Sequence, residues 1–154
     1  MANRRDQIEL TDSEIADYLT ESKTIICATN GPRGLPHTMP LWYIMRGDEI
    51  YGWTFEKSQK AKNLQRDARA TLLIEDGVTY DQLRAVMMEC DAELIADAGE
   101  VREIAIDLFS KYTNGNVTSE VEQMIDAQLP KRIGLRFTPK RYVSWDHRKL
   151  GGTY

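Results

Sequence analysis

Cysteine and histidine are scarce: two of each occur in 154 residues. Cys27 and Cys90 stand far apart, each in an apolar run, and read as buried free thiols of a reducing compartment. With His37 and His147 they offer no metal-ligand spacing, which excludes a zinc site of the usual patterns and cysteine-based nucleophilic chemistry. A Gly-x-Ser-x-Gly elbow is missing, so a serine triad has no support. Gly-x-Gly-x-x-Gly and Walker patterns are also missing, so a nucleotide would not be held in either familiar way. Apolar runs stay well short of the roughly 20 residues of a membrane span. The opening MANRRDQIEL has charges but no apolar h-region, so a secretory signal is not expected and the chain reads as cytoplasmic. A net charge of -4 and a pI near 5.3 argue against nucleic acid as a partner.

The remaining composition, 42% hydrophobic and 29% charged, is that of a globular protein able to bury a core, and residues 1–154 are expected to form one domain. The most informative stretch is IYGWTFEKSQKAKNLQRDARATLLI at 50–74. Residues 50–55 alternate aromatic and smaller β-formers, as a strand does. Residues 57–66 lose that alternation and gain helix formers, with Ala61 and Leu64 spaced to face a core. Residues 69–74 return to an apolar strand. A helix that starts straight after a strand presents free N–H groups and positive dipole charge there. Lys57, Lys60 and Asn63, at i, i+3 and i+6, would lie along one face, either as a phosphate cradle or as a solvated basic surface.

Before this stretch, Thr11-Asp-Ser-Glu is a capping box opening a helix with Ile15, Tyr18 and Leu19 inward, and Leu10 with Ile15 as its staple. Residues 23–29 and 35–45 read as strands around Asn30-Gly31-Pro32-Arg33-Gly34. Pro36 and Pro40 would keep the second at an edge or a bulge, and a turn at Arg46-Gly47-Asp48 would complete a three-stranded meander with residues 49–55. Residues 82–96 alternate with period two, which favours a long bent strand over a helix. Residues 99–112 form a helix with Val101, Ile104, Ala105, Leu108 and Tyr112 on one stripe, ended by Asn114-Gly115. A capping box at Ser119 opens another helix to about Leu129, and residues 133–138 and 141–145 read as two strands across a Thr-Pro-Lys turn. The tail SWDHRKLGGTY could fold over a pocket or hang as a flexible terminus. Many antiparallel strands with helices inserted late predict a mainly β, α+β fold built as a closed or partly open barrel.

Candidate chemistry is sparse. Glu89, Asp91 and Glu93 fall on one strand face and read as a solvated edge rather than an acid/base pair or a metal site. His37, between prolines, reads as a surface or pocket-wall residue. Tyr51, Trp53 and Phe55 could stack a flat cofactor, though core packing is their ordinary use.

Taken together, PLWY at 40–43, KSQKAKNLQRDARATLLI at 57–74 and SWDHRKLGG at 144–152 resemble the flavin and deazaflavin oxidoreductases of the split β-barrel fold, relatives of pyridoxamine 5'-phosphate oxidase. The resemblance covers nearly the whole chain in order and is strongest to the branch using reduced coenzyme F420, including biliverdin and quinone-type reductases. It implies an FMN-binding-protein-like homodimer with its sites at the subunit interface, and a hydride passed from F420 (or FMN as the alternative) to a conjugated small-molecule acceptor. A non-catalytic flavin- or tetrapyrrole-binding protein of the same fold is the other alternative. It also implies that Lys60 contacts the cofactor phosphate with Asn63 nearby, that Trp53 and Thr54 line the ring, and that Met39, Pro40 and Leu41 approach it from the neighbouring strand. Relatives often carry Arg just ahead of the motif lysine, where this chain has Ser58-Gln59, and Lys57 would take over that part of the grip. The proton that accompanies the hydride would come from solvent or from a side chain such as His37 or Lys57.

Overall fold

The structure, a computed structural model, describes residues 3–152. Met1, Ala2 and the last two residues of the tail, Thr153 and Tyr154, lie outside the described residues. Helices α1 (Arg4–Ile8) and α2 (Asp12–Glu21) open the chain. The expected capping box at Thr11 forms, its side chain accepting from Glu14 N–H while the Glu14 carboxylate accepts from Thr11 N–H at 2.6 Å. Seven antiparallel strands follow: β1 (Ile25–Asn30), β2 (Pro36–Leu41), β3 (Ile44–Arg46), β4 (Glu49–Phe55), β5 (Arg69–Asp76), β6 (Arg84–Ile95) and β7 (Arg132–Asp146). Helix α3 (Gln59–Arg66) lies between β4 and β5, and α4 (Ala98–Tyr112) and α5 (Ser119–Gln128) lie between β6 and β7. Among the described residues no helix is long and apolar enough to cross a membrane.

The strand order is β2-β1-β5-β6-β7-β4-β3, so β2 and β3 are the two edges of the sheet. Only Trp42 and Tyr43 separate them in the chain, which forces the sheet to curl until its edges meet. The closure is tight: a side chain at Gly52 of β4 would come within 3.1 Å of the Trp42 carbonyl oxygen and 3.4 Å of the Leu41 side chain. This is the expected split barrel, but two local expectations fail. Residues 35–45 are not one strand of a meander, because β2 pairs with β1 while β3 pairs with β4 at the far edge. The break falls at Tyr43, whose backbone turns away from the ladder to side chains of α4: its N–H donates to the Tyr112 hydroxyl at 3.1 Å and its carbonyl accepts from Lys111 Nζ at 3.0 Å. Residues 133–145 are not a hairpin either. β7 runs unbroken, and its pairing with β6 skips Lys140, a bulge that spares Pro139 from donating to the ladder.

Two cores result. Inside the barrel, Ile25, Cys27, Ile50, Leu72, Ile74, Met88, Leu135 and Phe137 pack with Tyr18 and Leu19 of α2. Outside it, Ile44, Tyr51 and Ile95 pack under Val101, Ile104 and Leu108 of α4. The Thr-Asn-Gly stop of α4 forms as expected, with Asn114 and Gly115 both at positive φ, 54° and 83°. α5 is capped by Thr118 rather than Ser119, its side chain accepting from Val121 N–H. The tail does not fold over the α3 end of its own barrel. It leaves the far end of β7, where Lys149 Nζ reaches Glu14 at 2.7 Å and His147 Nδ1 lies 2.8 Å from the Tyr80 carbonyl oxygen.

Candidate functional site

Helix α3 plugs one end of the barrel, between the end of β4 and the start of β5. Ser58 caps it: the hydroxyl accepts from Ala61 N–H at 3.2 Å and from the Thr54 hydroxyl at 3.3 Å, tying the helix start to β4. Ala61 and Leu64 are buried as expected, while Gln59, Lys62 and Gln65 face solvent. Lys57 lies in the turn before the cap, exposed, so it does not share a helix face with Lys60 and Asn63. Nor is that face a solvated basic surface, since Lys60 is only 6% exposed and Asn63 fully buried.

Asn63 is fully engaged within the protein. Its Nδ2 donates to Thr29 Oγ1 of β1 at 3.0 Å, and its Oδ1 accepts from Gln59 at 2.7 Å and Arg66 at 3.4 Å. Its geometry fixes α3 on β1 and thereby sets where Lys60 stands. Lys60 itself makes no side-chain hydrogen bond or ion pair among the described residues. Burial holds its pKa below the usual lysine value, with only the Cys27 thiol acting the other way. That thiol is pushed up to about 11 by burial, so at neutral pH it is uncharged and does not neutralise the ammonium.

The other expected site residues divide between the two faces of the sheet. Residues directly opposite in an antiparallel pair share a face. Met39 and Leu41 therefore point inward with their partners Cys27 and Ile25, and Thr54 points inward with Ile133. Pro40 and Trp53 face outward, Trp53 standing edge-on to Phe109 of α4 with ring centroids 6.3 Å apart. Lys57 and Ser58 border a cleft of about 510 Å³ with Phe55, Glu56, Pro130 and Lys131, its walls joined by the Glu56 N–H to Lys131 carbonyl bond of 2.9 Å. Beside it the Arg132 guanidinium lies 3.8 Å from the centre of the Phe55 ring and 4.5 Å from that of Trp53. Sequence reasoning missed Lys131 and Arg132; the signal was a basic pair straight after the helix stop at Pro130.

The acidic row on β6 is a cross-strand ladder. Glu89 pairs with Arg141 at 2.8 Å, Asp91 with Lys140 at 3.7 Å, and Glu93 with Arg136. No group of three or more potential metal ligands comes together among the described residues. The positions implied for a phosphate-bearing cofactor fit such a group at one point above all, the unpaired ammonium of Lys60.

A sequence profile described as pyridoxamine 5'-phosphate oxidase matches residues 11–146. A conserved hypothetical protein of Mycobacterium tuberculosis is 40% identical, with a TM-score of 0.89 over 99% of this chain and 95% of that one. An F420 reductase is 18% identical, with a TM-score of 0.66 over 82% of this chain and 93% of its own. A FAD-binding protein of Mesorhizobium loti is 17% identical, with a TM-score of 0.67 over 88% and 94%. At such identities the last two show a common fold. No curated protein matches the chain.

Proposed function

The chain belongs to the pyridoxamine 5'-phosphate oxidase family, and from that premise we propose that it is an oxidoreductase using reduced coenzyme F420 to reduce a conjugated organic acceptor, a tetrapyrrole such as biliverdin, a quinone or an enone. One observation carries this reading. Lys60 is nine-tenths buried, unpaired among the described residues and held below its usual pKa by burial. A lysine so largely buried, with no counter-charge in the protein, is costly to keep, and a ligand phosphate would neutralise it. When bound, the reduced cofactor supplies the hydride, so the chain needs neither a nucleophile nor a metal for that step. Its own residues hold and shield. Lys60 takes the phosphate, with Lys57 and Ser58 at the helix start; Asn63 keeps α3 in place; Met39, half-exposed on edge strand β2, lies against the ring, and the buried Leu41 and Thr54 support β2 and β4 behind it.

The active form in this proposal is a homodimer. Edge strand β2 leaves one side of its ladder unpaired, and the run around it exposes Leu35, Met39 and Trp42 by 70%, 48% and 50%. Pro40 and Trp53, which face outward on the single chain, would meet a cofactor lying between subunits.

The test is a fluorescence titration with F420 and, in parallel, FMN, followed by turnover with artificial acceptors. Micromolar or tighter F420 binding with weak FMN binding, and steady turnover, is the expected result. Preference for FMN would move the protein to flavin chemistry. Binding without turnover would make it a carrier, and binding of neither would end the proposal.

A further inference from the structure

His37 Nδ1 is, among the described residues, the one fully enclosed side-chain nitrogen or oxygen with no hydrogen-bond partner. An enclosed polar atom left unsatisfied bears the desolvation penalty of that group with nothing to offset it, so folded proteins rarely keep one without use. His37 stands on edge strand β2 directly opposite Thr29 of β1. The imidazole therefore shares the inward face with Thr29, whose hydroxyl is held by Asn63 of α3. Two residues along the same pair of strands stand Cys27 and Met39. The Asn63 bond to Thr29 seats α3, with Lys60 one turn earlier on the same helix, over the end of the barrel where His37 stands.

We propose that His37 is a second ligand-binding residue of the Lys60 site, its Nδ1 hydrogen-bonding an oxygen of the phosphate-bearing ligand whose charge Lys60 neutralises. This rests on the reading of Lys60 as the phosphate contact and adds to it a named partner on β2. With Nδ1 protonated the imidazole donates to a phosphate or hydroxyl oxygen, which a neutral histidine can do in one tautomer. The two groups divide the work. Lys60 supplies charge, and His37 supplies direction, because its ring is fixed on a strand whose register with β1 is set by six residue pairs. A ligand with a single anionic oxygen, too small to reach both groups, would use Lys60 alone.

The experiment compares F420 and FMN titrations of the unchanged chain with those of Lys60→Ala, His37→Asn and His37→Phe, alongside thermal unfolding of each chain without ligand. Asparagine places its amide nitrogen where Nδ1 stood, and phenylalanine keeps the ring without any polar atom. His37→Phe should weaken binding of the preferred cofactor about 5- to 15-fold, the value of one hydrogen bond, while His37→Asn stays within about 3-fold of the unchanged chain. Without ligand, His37→Phe should unfold at the same temperature or higher, because it removes an unsatisfied group. Two results would overturn the role of His37 while leaving Lys60 in place: affinity lost in Lys60→Ala but kept in His37→Phe, or a ligand-free His37→Phe that unfolds markedly earlier. Failure of the unchanged chain to bind either cofactor would overturn the phosphate reading and this one with it.

Discussion

Replacing Lys60 with methionine removes a charge from a buried place and keeps most of the side-chain volume. Ligand-free, the variant should unfold at the same temperature or higher, because no hydrogen bond or ion pair is lost with the ammonium. A clear drop in thermal midpoint would mean that the ammonium has a structural partner. Lys111 gives a pH test of the same physics. Burial, then the charge of Lys23, lowers its pKa to about 8. Above that value the folded chain releases a proton that the unfolded chain keeps until about pH 10.4, so this group makes stability rise with pH between the two. Below about 8 its penalty is present in full. In denaturant midpoints measured from pH 7 to 10, Lys111→Met should flatten that rise, and an unchanged slope would contradict the assignment. At this scale the sequence was partly legible. The Lys-x-x-Asn-Leu spacing marks Lys60 and Asn63, but spacing alone carries Lys57 onto the same helix face. Ser58, an N-cap residue type, is the local signal that starts the helix later. That Asn63 is spent on Thr29 depends on a strand 34 residues away and has no local signature.

Among the elements, α4 acts as the clasp of the barrel. The Tyr112 hydroxyl accepts from Tyr43 N–H and donates to the Lys23 carbonyl, and its ring stacks on Trp42 at 4.1 Å. Tyr112→Phe keeps the stack and leaves two backbone groups without that partner, so it should cost about 1–3 kcal/mol in chemical denaturation. A loss under about 0.5 kcal/mol, the low end for one hydrogen bond, would show that water replaces the hydroxyl. Gly134 is a second contact point. A methyl there would come within 3.1 Å of Ile95 Cβ and 3.2 Å of Ile104 Cδ1, so Gly134→Ala should destabilise by about 1–3 kcal/mol through overpacking between β7 and α4. Elements with a strong period or cap, such as α2, α4 and β6, were legible because neighbours in sequence decide them. The break at Trp42-Tyr43 and the bulge at Lys140 were not. Both are decided by what meets the strand from far along the chain: Tyr112 and Lys111 at the first, a skipped pairing with β6 at the second. Thr-Pro-Lys satisfies the residue preferences of a turn, and only the long pairing of β7 with β6 on both sides of it overrides them.

For the molecule as a whole, order along the chain conceals the closure of the sheet. Strands β2 and β3 are nearly contiguous in sequence yet lie at opposite edges, so only the curl of the barrel reconciles the order β2-β1-β5-β6-β7-β4-β3 with the chain. The same arrangement leaves β2 as an apolar, proline-bearing edge, and the proposed homodimer follows from it. Light scattering behind size exclusion should give twice the 17.7 kDa chain mass, and a charge at the exposed Leu35, as in Leu35→Asp, should shift the population toward monomer. A monomer at micromolar concentration would contradict the homodimer. Whether Lys60 grips the phosphate of a flavin-type cofactor is decided by titrating the unchanged chain and Lys60→Ala side by side with F420. Micromolar or tighter binding by the unchanged chain is expected, with an affinity about 10- to 150-fold weaker in the variant, the scale of one charge-assisted hydrogen bond. Equal affinities in the two would contradict that grip.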